Sequence, residues 1–489
     1  TLFEAGYQAT SATMALERAM FKRDTVMVSL FLKNGAEGNV VLEKALKTND
    51  ADLIDLAITE GGAIPNLNVF KKTVDSRKYT LAEKFLDDPM SDIDPTEAMD
   101  YAILKNVQSL VAKTLALGGN SQTALNYAIK RRDPDLANDA ITMYNADPNL
   151  VLEEVINTNQ TQLADYIITP ENCSEALTYS INSSNKIMIG KAIGAGATTT
   201  ADHVSQMAAA GKDDILRILI ESDGQGNPND GLGPAIDASK YRTAQYLVQA
   251  GAKATYDHVR KVAAAGNDEL LKTLIEEGDG DPNDGLGAAI DASKYRTAQY
   301  LVQAGAVATS DYVGKAAATG NDELLKTLIQ NGGGDPNDGL SAAISASQFK
   351  TAEYLVQAGA TATSDHVSRV AGVGNIVLLK VLIEEGQGDP NDGLGGAIAA
   401  SKSSAAEYLI QAGATASATH VKQVATAGNK ELKKMLLEEG QGDANDGLAA
   451  ALGASQFSMA EFLIKKGAQP DGVVKIAVEQ QQMSLLLTA

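Results

Sequence analysis

At 489 residues and 51.0 kDa the chain is several times the size of a single-core domain, so several domains or one extended array is expected. Aromatic residues make up only 5%, with no Trp, and the core is therefore predicted to rest on Ala, Leu, Ile and Val. Sixty-two acids against 41 bases give a net charge of −21 with no basic cluster, which excludes a nucleic-acid groove, because neutralising a phosphate backbone needs grouped Lys and Arg.

In chain order the dominant signal is a repeat. A small residue followed by an apolar one marks the middle of a predicted helix at Met20, Leu46, Val74, Ile103, Ile129, Ile156, Ile181, Ala208 and Ile236. The mark then recurs every 27 residues from Ala263 to Leu452, and a last one falls at Val478. Eighteen marks at this spacing fill the chain and leave no room for a separate domain. Three stretches are expected: divergent repeats over 1–229, near-identical 54-residue double repeats over 230–469, and a truncated capping repeat over 470–489. Cys173, the single cysteine, excludes an intrachain disulfide or a Cys-based zinc site and reads as a lone thiol.

The register comes from the second half. Asn-Asp-Gly-Leu recurs with its glycine at Gly231, Gly285, Gly339, Gly393 and Gly447, each 54 residues after the last. Within a block, residues 284–306 predict two short helices. Asp284 stands where an N-cap carboxylate would accept first-turn amides. Leu286, Ala289 and Ile290 then share one helical face, Ser293 and Lys294 interrupt, and a second amphipathic stretch from Tyr295 to Val302 ends at Gly305, a left-handed stop. Two helices this short cannot bury their apolar faces alone, so they must stack on their neighbours.

These units resemble the ankyrin repeat. Asp284 and Leu286 stand at that family's capping and Leu positions, Ala289 and Ile290 at its Ala-Ala pair, and Gly320-Asn321 and Leu328-Ile329 with Gly332 at its central Gly-His and terminal Leu-Leu…Gly. The family's repeat is about 33 residues. The six missing residues would fall where ankyrin builds its β-hairpin finger, so the family's finger contacts cannot be transferred. The resemblance implies an all-α fold, an α-solenoid of about 18 stacked helix-turn-helix repeats, and a role in protein recognition.

Candidate chemistry is sparse. His203, His258, His366 and His420 hold one repeat position, with Tyr312 taking the same slot in one copy. Equivalent residues two repeats apart should lie about 20 Å from one another, too far to share a metal. The rings are expected to lie over a helix start, or else to form a stripe that contacts a partner. The linker Asp279-Gly-Asp281-Pro-Asn283-Asp284-Gly285 imitates a calcium loop, but its twelfth position is Ile290, and an Asx turn explains it better. No nucleophile–base set or phosphate loop can be assembled; no catalytic residue, metal or cofactor is expected, and the chain is read as not an enzyme. Two positions on the first helix vary between copies and project off the core face: Gly233, Gly287, Ser341 and Gly395 at one, Asp237, Asp291, Ser345 and Ala399 at the other. With the histidine series they are the candidate partner-binding positions.

The function expected is a non-enzymatic protein-binding scaffold that offers an extended solenoid surface to a neutral or basic partner protein, with no nucleic acid and no membrane. The alternative is a structural component of a larger assembly (virion part, filament or shell) that self-associates through the apolar C-terminal repeat. No secretory pattern opens the sequence and no apolar run reaches the ~18–20 residues of a membrane span. An intracellular, cytoplasmic protein is the expectation, in a virion or host cytoplasm if viral or an effector.

Overall fold

A computed structural model describes residues 9–221 and 224–469. Among them are 34 α-helices and one 3-10 turn, Pro148–Val151; the nearest approach to a sheet is an isolated bridge between Asn66 and Asp92. The fold is an all-α helical repeat. The truncated repeat expected over 470–489, its mark at Val478 and the apolar end invoked for self-association lie outside the described residues.

The helices come in pairs, and one backbone feature joins each pair: a residue at positive φ. It falls at Arg23, Asn49, Arg77, Asn106, Arg132, Asn159 and Ser184 in the divergent part, and then alternates between glycine and serine from Gly211 through Ser293 and Gly320 to Ser455. Each stands three residues after one of the sequence marks, for every mark from Met20 to Leu452. The reason is local. After the last helical residue the chain must reverse, and a left-handed residue lets the next two amides bond back to the closing turn, as Ser293 N–H does to Ile290 and Lys294 N–H to Ala289.

Most second helices are followed by another left-handed residue, Gly305 at φ 109° in one copy, where Ala306 N–H returns to the Leu301 carbonyl. The linkers that follow are tied across repeats by two hydrogen bonds. Ala308 N–H donates to the Gly332 carbonyl at 2.9 Å, and the pairs Ala254–Gly278, Ala362–Gly386 and Ala416–Gly440 repeat this. The Asn283 side-chain oxygen accepts from Val307 N–H at 2.9 Å, as Asn229, Asn337, Asn391 and Asn445 accept from residues 24 further on. A short linker thus fixes the step between repeats with an amide side chain and one backbone bond.

The helix start differs in detail from its expectation. The helix runs Asn283–Asp291, so Asp284 lies inside its first turn, and the cap carboxylate is Asp281, whose Oδ1 accepts from Asn283 N–H at 2.9 Å. Pro282, with φ already helical, begins the helix earlier than the apolar pattern does. The same turn recurs at Asp335, Asp389 and Asp443. This is the Asx turn read from the linker.

The core is the predicted one: Leu286, Ala289, Ile290, Ala298, Leu301 and Val302 are buried, and every copy repeats them. The chain divides into two compact units. One holds the described residues up to Met207 together with Lys212–Asn227; the other holds Ala208–Gly211 and the described residues from Pro228 onward. In the first, exposed ion pairs about one repeat apart link neighbouring helix pairs, among them Lys33–Glu60 at 3.0 Å and Lys105–Asp75 at 2.6 Å. Each contributes little by itself.

The glycine of Asn-Asp-Gly-Leu is required by packing. A Cβ on Gly285 would stand 2.9 Å from the Ala263 methyl and 3.1 Å from Leu301 Cδ1; on Gly393 it would meet Leu409 and Val367 at 2.9 and 3.0 Å. Gly285→Ala is expected to cost about 1–3 kcal/mol through overpacking. Urea unfolding of the variant reads this, and an unchanged midpoint would show that the neighbouring helix gives way freely.

Candidate functional site

The candidate positions of the C-terminal unit lie on its first helices, and their geometry begins at the helix caps. Thr363 caps the helix Ser364–Val373: its Oγ1 accepts from His366 N–H at 3.5 Å, and the His366 ring returns the bond, Nδ1 accepting from Thr363 N–H at 3.2 Å. This is a capping box with histidine in place of the usual Glu or Gln. Ser417 and His420 form the same pair, with both bonds at 3.3 Å, and Thr255 N–H donates to His258 Nδ1 at 3.3 Å. In the N-terminal unit Thr200 and His203 repeat it, and His203 Nε2 lies 3.3 Å from Thr178 Oγ1. The ring over the helix start is therefore a cap, and all four imidazoles of the sequence are used this way.

Accepting at Nδ1 requires that nitrogen to be unprotonated, which leaves the proton on Nε2. The environment agrees. Burial lowers the pKa of all four rings below the ordinary 6.5, and nearby Asp202, Asp257 and Asp365 oppose the shift without reversing it.

The two variable positions prove to be contacts between consecutive first helices. Gly233 lies under His258, Gly287 under Tyr312 and Gly395 under His420: an added Cβ would stand 3.2, 2.8 and 3.3 Å from the ring nitrogen or hydroxyl. Ser341 holds the matching position before His366. At the second position Asp237 pairs with Lys261 at 2.6 Å and Asp291 with Lys315 at 2.7 Å, while Ser345 accepts from Arg369 at 2.8 Å. Ala399, the fourth, is matched 24 residues on by Gln423. The copies diverge in step: where the acid is lost, the base facing it changes too. The signal was present in the sequence as a constant spacing of 24 with matched charge, but reading one column at a time does not reveal it.

The candidates thus form a row of paired contacts. A trough opens on the row. Between the helices Tyr256–Ala265 and Ser310–Thr319 a trough of about 640 Å³ lies over the helix Asn283–Asp291, whose Gly287, Ala288 and Ala292 give it depth. Tyr256 and Tyr312 both line it, and Tyr256 is 61% exposed. Its cations are already held. Arg260 pairs with Asp257 at 2.7 Å, and Lys315 bridges Asp291 and Asp311. Asp284 also lines the trough, its side chain makes no hydrogen bond or ion pair among the described residues, and its pKa is raised by burial and by Asp281. Tyr256, Arg260, Asp284 and Asp311 were not among the sequence candidates; Tyr256 does stand out in its column of small residues, Ala201, Ser310, Ser364 and Ala418, a signal the sequence reading passed over.

Elsewhere the chemistry is quiet. The Asp281, Asp335, Asp389 and Asp443 carboxylates are engaged by the amides of Asn283, Asn337, Asn391 and Asn445. Those bonds hold Asp335 and Asp389 below the usual carboxylate range. Cys173 is buried, its thiol donating to the Pro170 carbonyl. Among the described residues no group of three or more His, Cys, Asp or Glu could hold a metal ion, and no helix is long and apolar enough to cross a membrane.

Neither a protein-family model nor a curated protein matches the sequence. Among solved structures the chain is similar to a circular tandem repeat protein with novel repeat topology and enhanced subunit contact surfaces, at 13% identity over 94% of this chain and 99% of that one. The TM-score is 0.12, too low for the two to be superposed, so the fold assignment rests on the helix pairs themselves.

The caps make stability depend on pH in a definite direction. Because the folded-state histidine pKa values lie below the unfolded 6.5, the contribution is fully present above about 6.5 and is lost as pH falls through the lower folded values. The melting temperature should therefore drop as pH is lowered from 7 to about 5. A variant with glutamine at positions 203, 258, 366 and 420, which can still close the capping box, should lose that part of the drop. If both proteins melt with the same pH profile, the caps are not what titrates.

Proposed function

We propose that the chain is a non-enzymatic scaffold that presents the first-helix face of its C-terminal unit to a partner protein, and that its repeats are shortened relatives of the ankyrin helix pair. The observation that carries this reading is the contrast between interior and face. From copy to copy the buried Leu, Ala and Ile are kept, while the exposed first-helix positions change and one of them opens into a trough. The ankyrin likeness rests on the residues of the helix pair and on the left-handed glycine between its helices, as at Gly320. The non-enzymatic reading is supported by the four imidazoles, each of which serves a helix cap.

The row of contacts also suggests what the partner meets. At the first copy the cluster has two acids and two bases (Asp237, Asp257, Arg260 and Lys261), and at the second two acids and one base (Asp291, Asp311 and Lys315). At the third it has Ser345, Asp365 and Arg369, and at the fourth Ala399, Thr419 and Gln423. A chain lying along this face meets a surplus of acid at the second copy.

The test is retention from an extract of the native source on immobilised protein. The wild type is compared with a face variant, Asp237→Lys with Asp291→Lys, and with a control changed on second helices, Glu276→Lys with Lys326→Glu. A protein held by the wild type and the control but lost from the face variant is the expected outcome. Equal retention by all three would place binding elsewhere and reject this face.

A further inference from the structure

Tyr312 breaks the rule that the other four copies obey. In them a histidine at the third helical position closes the capping box. At Ser310–Thr319 the cap residue Thr309 has no side-chain cap bond, and tyrosine has no ring nitrogen with which to accept from the cap amide. Loss of a cap costs about 1 kcal/mol. The phenol hydroxyl lies against Gly287 at the edge of the trough, closer than the ring nitrogens of His258 and His420 lie to Gly233 and Gly395. Across the trough stands Tyr256, whose counterparts two residues before the histidine or tyrosine of the other copies are Ala201, Ser310, Ser364 and Ala418. Of these copies, one alone is flanked by two tyrosines, and the trough lies there. A residue that gives up a local structural role without local gain, beside a cavity of ligand size, marks a functional position.

The charge of the trough says what it takes. Arg260 is neutralised by Asp257, whereas Lys315 faces both Asp291 and Asp311, so the trough keeps a negative surplus to which Asp284 adds a carboxylate with no side-chain partner among the described residues. The corresponding aspartates of the other copies, Asp230, Asp338, Asp392 and Asp446, also stand in a first helical turn, where the helix dipole favours them. Asp284 shares its trough with Tyr256 and Tyr312. A trough lined by a carboxylate and two phenol rings offers a cation both Coulombic attraction and π-faces.

We propose that the trough between Tyr256 and Tyr312 is a subsite for a single lysine or arginine side chain of an extended peptide, with Asp284 as its counter-charge. This deepens the partner-binding reading and rests on it. The neutral, small-residue copies that follow accept the rest of the segment through shape, so the basic residue fixes the register of the partner on the row.

A phage-displayed library of short random peptides, panned against the full chain, tests this. Enriched peptides are expected to share one Lys or Arg, and replacing it by Gln should weaken binding measured by fluorescence anisotropy. Asp284→Asn should weaken the same peptide roughly three- to tenfold. Tyr312→His should weaken it while leaving the melting temperature unchanged or higher, because the histidine restores the capping box; a merely structural tyrosine would show the opposite. Enriched peptides with no shared basic residue would overturn the subsite yet leave the face a binding surface, as would peptides that bind both variants like the wild type. If no peptide is enriched, the subsite is likewise rejected, and retention of a partner from extract then decides the broader reading by itself.

Discussion

Everything in this protein depends on burial shared between neighbours. A helix of nine residues is far too short to persist alone, and a pair of them has only one apolar seam to close. Leu286 and Ala289 can leave water only because the preceding and following pairs cover them, and the same holds for each pair along a unit. Stability therefore depends on the step from one repeat to the next. The invariant features serve that step: a glycine where two helices nearly touch, a left-handed residue where the chain reverses, and an asparagine that reaches 24 residues ahead to a backbone amide.

The asparagine link explains how a repeat can dispense with a hairpin between its pairs. Alignment of neighbours needs a directional contact, since apolar packing alone tolerates sliding. Here one side-chain oxygen and one peptide bond per block supply the direction, at Asn283–Val307 and Ala308–Gly332 for example. The aspartate two residues earlier holds the asparagine in place, its Oδ1 bonding both the backbone and the side-chain nitrogen of Asn283. The Asp-Pro-Asn string is thus a preorganised clamp, which accounts for its retention in copies whose exposed faces have changed.

Much of this was legible in the sequence. The apolar marks placed the helix pairs correctly even in the divergent part, because the residue three positions later is obliged to turn left-handed whether it is Arg23, Asn106 or Gly320. The cap was misplaced from Asp281 to Asp284, because the hydrophobic period begins inside the helix and a proline can start one earlier without any apolar signal. The variable positions were identified, but their meaning was not. Asp237 and Lys261 stand 24 residues apart, and only the stacking of first helices shows that they form one contact. The trough was hidden for the same reason, since it is made by residues from three successive first helices and by the absence of side chains on the middle one.

That last point bears on how a repetitive protein acquires a specific site. Duplication copies a unit together with its solved packing, so each copy begins with the same caps and the same ion pair. A new site then arises most cheaply where one substitution alters contacts on two repeats at once. Position 312 is such a place. As histidine it would cap its own helix and lie over the neighbouring glycine, as His258 does over Gly233; as tyrosine it leaves the cap open and presses its longer ring against Gly287. The cost is confined to one helix start, because in a nearest-neighbour stack a local loss of about 1 kcal/mol is absorbed by the adjoining interfaces. A globular core would spread such a change through many contacts. A linear repeat can instead give up one cap to shape one trough while the pairs on either side keep their register.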